Sequence, residues 1–206
     1  MADSFSLYLV TDRHRTAGRP LLDVVEAALQ GGVDAVQLRE KDLSGGALLD
    51  LATRLRELTR RSGARLLVND RIDVALAVGA DGVHLPVDSF TPADARRLLG
   101  PKALIGASTH SVEQARGAAT GGANFIVFGP VFDTPSKQVF GAPVGLDALA
   151  QVTQAVTLPV VAIGGLTADR VAGVRQRGAH GVAVVAAILE ADDPGAAAAA
   201  LRAELD

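Results

Sequence analysis

The chain contains no cysteine, no tryptophan and one tyrosine, and only 3% of its residues are aromatic. Without cysteine there is no disulfide scaffold, no thiolate metal site and no thiol nucleophile. Long apolar runs are missing too, because charge or glycine interrupts each before the roughly 20 residues of a membrane helix. Residues 1–12 carry an early Asp3 and a brief apolar stretch. They lack the basic start and long apolar core of a signal peptide. A reducing cytoplasm is therefore the expected location. No excess of positive charge exists: 20 basic against 23 acidic residues give −3. This argues against a nucleic-acid face, which needs a basic surface, but leaves room for a local cationic pocket. The 22 glycines follow no short period, which excludes collagen-like and low-complexity chains. Nothing in the composition requires or forbids a homo-oligomer.

What is present is a 206-residue chain with 49% hydrophobic residues, enough for one domain, residues 1–206, around a single core. Two textures alternate. Short β-branched runs predict strands at 5–10, 35–38, 65–68, 82–84, 103–106, 125–128, 160–163 and 181–185. Segments rich in Ala, Leu and Arg predict helices at 21–30, 46–61, 72–78, 91–99, 111–120, 146–155, 167–177 and 194–205. Strands apolar throughout are buried on both faces, as in parallel sheets. Eight βα units in strict order predict an α/β fold closed into a (β/α)8 TIM barrel. An open dinucleotide-binding sheet is disfavoured, since no G-x-G-x-x-G follows the first strand. A small-residue motif precedes several strands: Gly31-Gly32-Val33-Asp34, Gly79-Ala80-Asp81-Gly82, Gly121-Gly122-Ala123-Asn124 and Gly178-Ala179-His180-Gly181. Glycine there ends a helix in the left-handed conformation, and Asp, Asn or His turns the chain into the next strand.

Barrels of this kind act at the C-terminal ends of their strands. After the second strand, alternation puts Gln37, Arg39 and Lys41 on one side, a cationic anion pocket or a solvated charge cluster. After the third, Asn69 can bond a ligand oxygen and Asp70 a hard cation, or both can cap the following helix. After the fourth, Asp88 is a second candidate cation ligand, or a turn residue with Ser89. After the fifth, Ser108 and Thr109 can donate to phosphate oxygens. His110 beside them can move a proton near neutral pH, or cap or pack. The sixth strand opens a long loop, 129–143, carrying Thr134 and Lys137; long ordered loops are usually lids or binding loops, and Lys137 can close over an anion. Gly164-Gly165 after the seventh and Val185-Ala186 after the eighth offer backbone N–H groups to a phosphate, or form plain turns. Arg13-His14-Arg15, after the first strand, reads as a solvated loop.

Taken together, segments 36–41, 68–73, 81–85, 106–110, 129–132 with Lys137, 161–165 and 181–188 stand in one order and spacing. Over nearly its whole length the chain resembles the thiamine-phosphate synthase and thiazole tautomerase superfamily of (β/α)8 barrels. The resemblance implies coupling of hydroxymethylpyrimidine diphosphate with thiazole phosphate, by dissociative loss of diphosphate. It implies Gln37 on the pyrimidine, and Arg39, Lys41, Asn69, Ser108 and Lys137 on the diphosphate. It further implies Asp70 on Mg2+, and Gly164, Gly165 and the segment from Val185 on the thiazole phosphate. The pattern departs after the fourth strand. Pro86-Val87 replace Gly-Gln, Ser89 stands at the expected Asp, and Asp88 comes one residue early. That segment and His110 are closer to the tautomerase, which isomerises a carboxythiazole phosphate. Gln37, Lys41, Asn69 and Asp70 keep the synthase pattern, which is the reading preferred. A barrel that binds a phosphorylated ligand without catalysis is the remaining alternative.

Overall fold

The alternation predicted above follows from where each strand residue goes. The computed structural model describes residues 5–133 and 142–206; Thr134 and Lys137 lie outside the described residues. The strands are β1 (Leu7–Val10), β2 (Ala35–Leu38), β3 (Arg65–Asn69), β4 (Gly82–Leu85), β5 (Leu104–Thr109), β6 (Phe125–Phe128), β7 (Val160–Ile163) and β8 (Gly181–Val184). Each pairs in parallel with the next, and β8 pairs with β1, so the sheet closes into a (β/α)8 barrel. The helices are α1 (Leu21–Gln30), α2 (Gly45–Ser62), α3 (Ile72–Val78), α4 (Pro92–Leu99), α5 (Val112–Thr120), α6 (Gly145–Ala155), α7 (Ala168–Gln176), α8 (Ala186–Leu189) and α9 (Pro194–Ala203). No helix among the described residues is long and apolar enough to cross a membrane.

Successive strand residues serve two cores. Leu7, Leu9, Val36, Leu38, Leu66, Val68, Ile126 and Phe128 pack outward beneath the helices. Tyr8, Val10, Ala35, Leu67, Phe125, Val127, Val161 and Ala183 pack inside the barrel. Three aromatic rings meet there: Phe5 lies 5.0 Å from Tyr8 and 4.9 Å from Phe125. A Cβ on Gly106 would lie 2.1 Å from the Phe125 ring, so glycine makes the space that the ring fills.

The small-residue motif works partly as expected. Gly79 ends α3 at φ 60°. After α1 and α5 the capping glycines, Gly31 and Gly121, stay at negative φ, and the second glycine of each pair takes the positive value. The polar residue that follows has a role beyond turning the chain. Asp34 accepts from the N–H groups of Ser6 and Leu7 at 3.0 and 2.9 Å, Asp81 from Leu66 at 2.8 Å, and Asn124 from Ile105 at 2.8 Å. Each therefore latches the entry of the preceding strand at the barrel's N-terminal end, where side chains serve stability.

Two differences from the sequence reading bear on the site. Val185-Ala186 is not simply a loop: Val185 precedes the short helix α8, which begins at Ala186. The segment Arg13–Arg15 is a 3-10 turn, not a solvated loop. Arg13 bonds Glu40 at 3.2 Å and both Asp42 oxygens at 2.5 and 2.6 Å, and Arg15 meets Glu190 at 2.5 Å. The Asp42 carboxyl is held well below the usual range, chiefly by its bond to Arg13 and then by that to His14.

Candidate active site

At the C-terminal ends of β2, β3 and β4 a cavity of about 300 Å³ opens, lined by Glu40, Lys41, Asn69, Asp70, Arg71 and Asp88 among others. The structure therefore brings together four residues singled out from the sequence: Lys41, Asn69, Asp70 and Asp88. Asp70 is half-buried with φ at 65°, a left-handed conformation uncommon outside glycine and tolerated best by Asp and Asn. Its N–H donates to the His84 carbonyl at 2.9 Å, and its Oδ1 accepts from the Ser89 hydroxyl. Asp70 is not a helix cap, because α3 is capped at Arg71 without any side-chain hydrogen bond. Nor does Asp88 cap α4; Thr91 does so by accepting from the Asp94 N–H at 3.1 Å. Backbone strain of this kind, held against local preference, clusters at functional sites.

Gln37, Arg39 and Ser108 do not line this cavity; Gln37, His84 and Ser108 alternate with outward-packed residues and form a polar layer inside the barrel. Gln37 is 3% exposed, and its amide donates to the Tyr8 hydroxyl at 3.1 Å. That bond, together with burial, accounts for the Tyr8 environment: burial pushes the phenol far above its ordinary value, and the bond to Gln37 opposes this. His84 is equally buried and its Nε2 lies 2.8 Å from Ser108 Oγ. Burial, and secondarily the charge of Arg39, lowers the His84 pKa to about 3, so the imidazole is neutral. Half-buried Arg39 is anchored through its N–H, which donates to Thr11 Oγ1 at 2.9 Å.

Not every expected residue arrives. Alternation turns Thr109 away from Ser108, and its hydroxyl is buried without a partner among the described residues. That geometry corrects the pairing of Thr109 with Ser108. His110 is exposed and does not line the cavity; its Nδ1 bonds the Gly129 carbonyl on the neighbouring loop.

On the opposite side of the mouth, Gly164 and Gly165 have φ of 100° and 61°. A Cβ at Gly164 would sit 2.5 Å from Pro130, and one at Gly165 would sit 2.5 Å from the Asp133 carbonyl. The glycines are thus required by close packing of the β6 and β7 loops, whatever else binds there. Arg170 stitches this corner, donating to the Gly165 carbonyl at 2.6 Å with its guanidinium 4.7 Å above the Phe132 ring. The long loop begins and ends at one place, because the Val144 and Gly145 N–H groups donate to the Pro130 and Val131 carbonyls at 2.8 and 3.2 Å.

A larger, open depression of about 730 Å³ lies at the other end of the barrel, lined by Thr153, Pro159, Arg175 and His180. Arg175 is committed there to the Ala179 and His180 carbonyls at 3.0 and 2.7 Å. Size alone does not make it the site: barrel chemistry sits at the C-terminal face, and the convergent polar groups are in the smaller cavity.

Sequence reasoning missed Tyr8, Glu40, Ser89 and the contact of His84 with Ser108. A histidine within an otherwise apolar strand was the available signal for the last. Buried Glu40 was masked by its neighbours Arg39 and Lys41, since only the structure shows the Arg13 N–H and guanidinium reaching it.

Comparison with known proteins agrees with the barrel fold. A relative from Geobacter sulfurreducens is 54% identical over 201 residues, covering 98% of this chain and 94% of the relative. The thiamine-phosphate synthase of Roseiflexus castenholzii is 48% identical over 196 residues, covering 95% and 86%. Among solved structures, a thiamine phosphate pyrophosphorylase from Pyrococcus furiosus superposes with a TM-score of 0.90 at 37% identity, covering 98% of this chain and 95% of that one. The family model described as thiamine monophosphate synthase matches residues 7–188, and the chain belongs to that family.

Proposed function

We propose that this chain is a transferase that couples hydroxymethylpyrimidine diphosphate with thiazole phosphate, releasing thiamine phosphate and diphosphate. The observation that carries the reading is the single cavity at the ends of β2 to β4, where Lys41, Asn69, Asp70 and Asp88 meet. Family membership supports the same reaction. It does not favour the tautomerase alternative or a barrel that only binds.

In the proposed reaction the C–O bond to the diphosphate breaks first, and the electron pair leaves with the diphosphate. The thiazole nitrogen then donates its lone pair to the pyrimidine methylene cation, forming the C–N bond. No protein nucleophile is needed. What is needed is charge stabilisation on the leaving group and a held acceptor. Arg39, Lys41, Asn69 and Ser108 hold the diphosphate in this reading. Lys137, from the long loop, joins them, with Thr134 beside the substrates. Gln37 holds the pyrimidine, its amide oriented by Tyr8. Backbone N–H groups of Gly164, Gly165, Val185 and Ala186 hold the thiazole phosphate.

The donor set suits Mg2+. Among the described residues no group of three or more His, Asp or Glu side chains forms a ready-made metal site. Three carboxylates line the cavity; Glu40 is taken up by Arg13, which leaves Asp70 and Asp88. Mg2+ takes one or two carboxylates and completes its shell with phosphate oxygens and water. Bound by Asp70 and Asp88, it would stabilise the negative charge that grows on the departing diphosphate. Ser89 reaches the Asp70 carboxylate and orients it. The absence of cysteine suits work in a reducing cytoplasm.

The test is product formation from both substrates. Thiamine phosphate should appear in proportion to enzyme and should require Mg2+. No product at saturating Mg2+ would overturn the reading. Isomerisation of carboxythiazole phosphate by the same preparation would move the assignment to the tautomerase.

A further inference from the structure

The barrel interior contains a group that the reaction above leaves unused. His84 is 3% exposed and sits 6.1 Å, ring centre to ring centre, from both Tyr8 and Phe125. Among the described residues its imidazole has one hydrogen bond, between Nε2 and Ser108 Oγ, 2.8 Å apart. Its Nδ1 is buried without a partner among the described residues.

A neutral imidazole carries a single ring proton, so two arrangements exist. With the proton on Nδ1, a buried N–H is orphaned and Ser108 must give its own proton to Nε2. Ser108 would then present only lone pairs. With the proton on Nε2, the ring donates to Ser108 Oγ, the orphan is a lone pair on Nδ1, and the serine proton is free. Orphaned buried donors are the rarer and costlier case. The second arrangement also makes Ser108 a donor, which is what an anion requires.

We propose that His84 is a positioning residue that donates from Nε2 to Ser108 and so keeps the Ser108 hydroxyl proton available to a diphosphate oxygen. The proposal rests on the reading of Ser108 as a diphosphate ligand. It assigns His84 neither contact with substrate nor proton transfer.

A double-mutant cycle tests it, read as kcat/KM for the pyrimidine diphosphate under saturating thiazole phosphate and Mg2+. Ser108→Ala should lower kcat/KM by on the order of 100-fold, the usual scale for one donor on developing charge. His84→Leu should lower it about 10-fold when Ser108 is present, and by less than about 2-fold when Ser108 is already Ala, because coupled residues are non-additive. His84→Gln, which keeps a donor near the same place, should recover most of the loss. Thermal unfolding of each variant separates these effects from misfolding. Nitrogen NMR of the wild-type imidazole supplies a second readout, independent of activity: the proton should be on Nε2. Equal losses from His84→Leu with and without Ser108 overturn the proposal while leaving the Ser108 reading intact. A proton found on Nδ1 overturns it as well. An unchanged Ser108→Ala enzyme removes the Ser108 reading itself, and the proposal with it.

Discussion

In the reading proposed above, the two sides of the barrel mouth grip in different ways. The side built on β2 to β5 would grip with side chains: Lys41, Asn69, Asp70 and Asp88 in the cavity, and Arg39 and Ser108 beside it. Two of them are held from behind by a second polar group, as Ser89 holds Asp70 and His84 holds Ser108, and Arg13 braces Glu40 between Arg39 and Lys41. The side built on β6 to β8 presents main chain, with Gly164, Gly165, Val185 and Ala186 at its edge and Arg170 stitching two loops. A diphosphate whose charge grows during reaction gains from charged groups in fixed places. A phosphate that serves only as an anchor keeps its charge, and backbone N–H groups suffice. Substitutions on the first side should therefore act through charge and orientation, and those on the second through backbone shape.

The largest effect is expected at Asp70. Asp70→Asn keeps a residue that tolerates the left-handed backbone, so the fold should survive. Loss of the carboxylate charge should lower kcat by on the order of 100-fold or more and weaken Mg2+ dependence. Steady-state kinetics with Mg2+ titration, beside thermal unfolding, checks both halves. A variant with normal kcat would remove Asp70 from the charged side.

Gly165→Ala breaks the backbone side by the opposite route. The new Cβ would meet the Asp133 carbonyl at 2.5 Å, and alanine is strained at φ 61°. The strain alone should cost about 1–3 kcal/mol, and KM for the thiazole phosphate should rise while KM for the pyrimidine diphosphate changes little. Denaturant unfolding and the two KM values decide it. Equal rises in both would erase the division between the sides.

The polar interior should be visible in acid. The folded His84 pKa of about 3 lies below its ordinary 6.5, because burial disfavours the charged ring. The unfolded chain therefore binds this proton more readily. The stability that depends on a neutral His84 is intact above about pH 6.5, and it is lost progressively as pH falls toward about 3. The slope from this one group is at most about 1.4 kcal/mol per pH unit. Urea unfolding between pH 7 and 4 should show the His84→Gln variant losing less stability than wild type. Parallel curves would show that His84 is not titrating in the unfolded chain alone.

Arg13→Ala tests whether the bracket behind β2 matters to ligand binding. Glu40 would keep its bond from the Arg13 backbone N–H and lose the guanidinium. The expected result is a rise of several-fold, about 3- to 10-fold, in KM for the pyrimidine diphosphate with kcat nearly unchanged, as for loss of uniform binding. An equal fall in kcat would mean that the bracket acts on the transition state.

Much of this was legible in the sequence, and the reason is texture. Short continuous apolar runs stand apart from the Ala-, Leu- and Arg-rich segments between them, so residues 35–38 or 125–128 could be read as strands buried on both faces and assigned an order. Asp70 and Lys41 were legible because they follow such strands. What escaped was set by contacts between distant positions. Arg13 and Glu40 are both charged and adjacent to loops, and nothing local distinguishes a solvated pair from a buried one. Thr109 and Ser108 look interchangeable as letters, and only their phase in β5 separates them. Gly164-Gly165 was noticed for its place after the seventh strand, but the packing of Pro130 and Asp133 against it depends on a loop from another unit.

The smallest effect should come from Ala186, and it sharpens the comparison because the side chain is predicted to be irrelevant. Ala186 opens α8, and the first N–H groups of a helix have no partner within it. If those groups hold the thiazole phosphate, Ala186→Ser adds a hydroxyl without altering the donors already present. KM for the thiazole phosphate should stay within about 2-fold of wild type, since one exposed neutral hydrogen bond contributes little net free energy. By contrast, Ala186→Pro removes the N–H itself, and proline is compatible with the first helical position. It should raise the same KM substantially while leaving the melting temperature near wild type. A large response to serine and none to proline would transfer the work from main chain to side chain, and the two sides of the mouth would then grip in the same way.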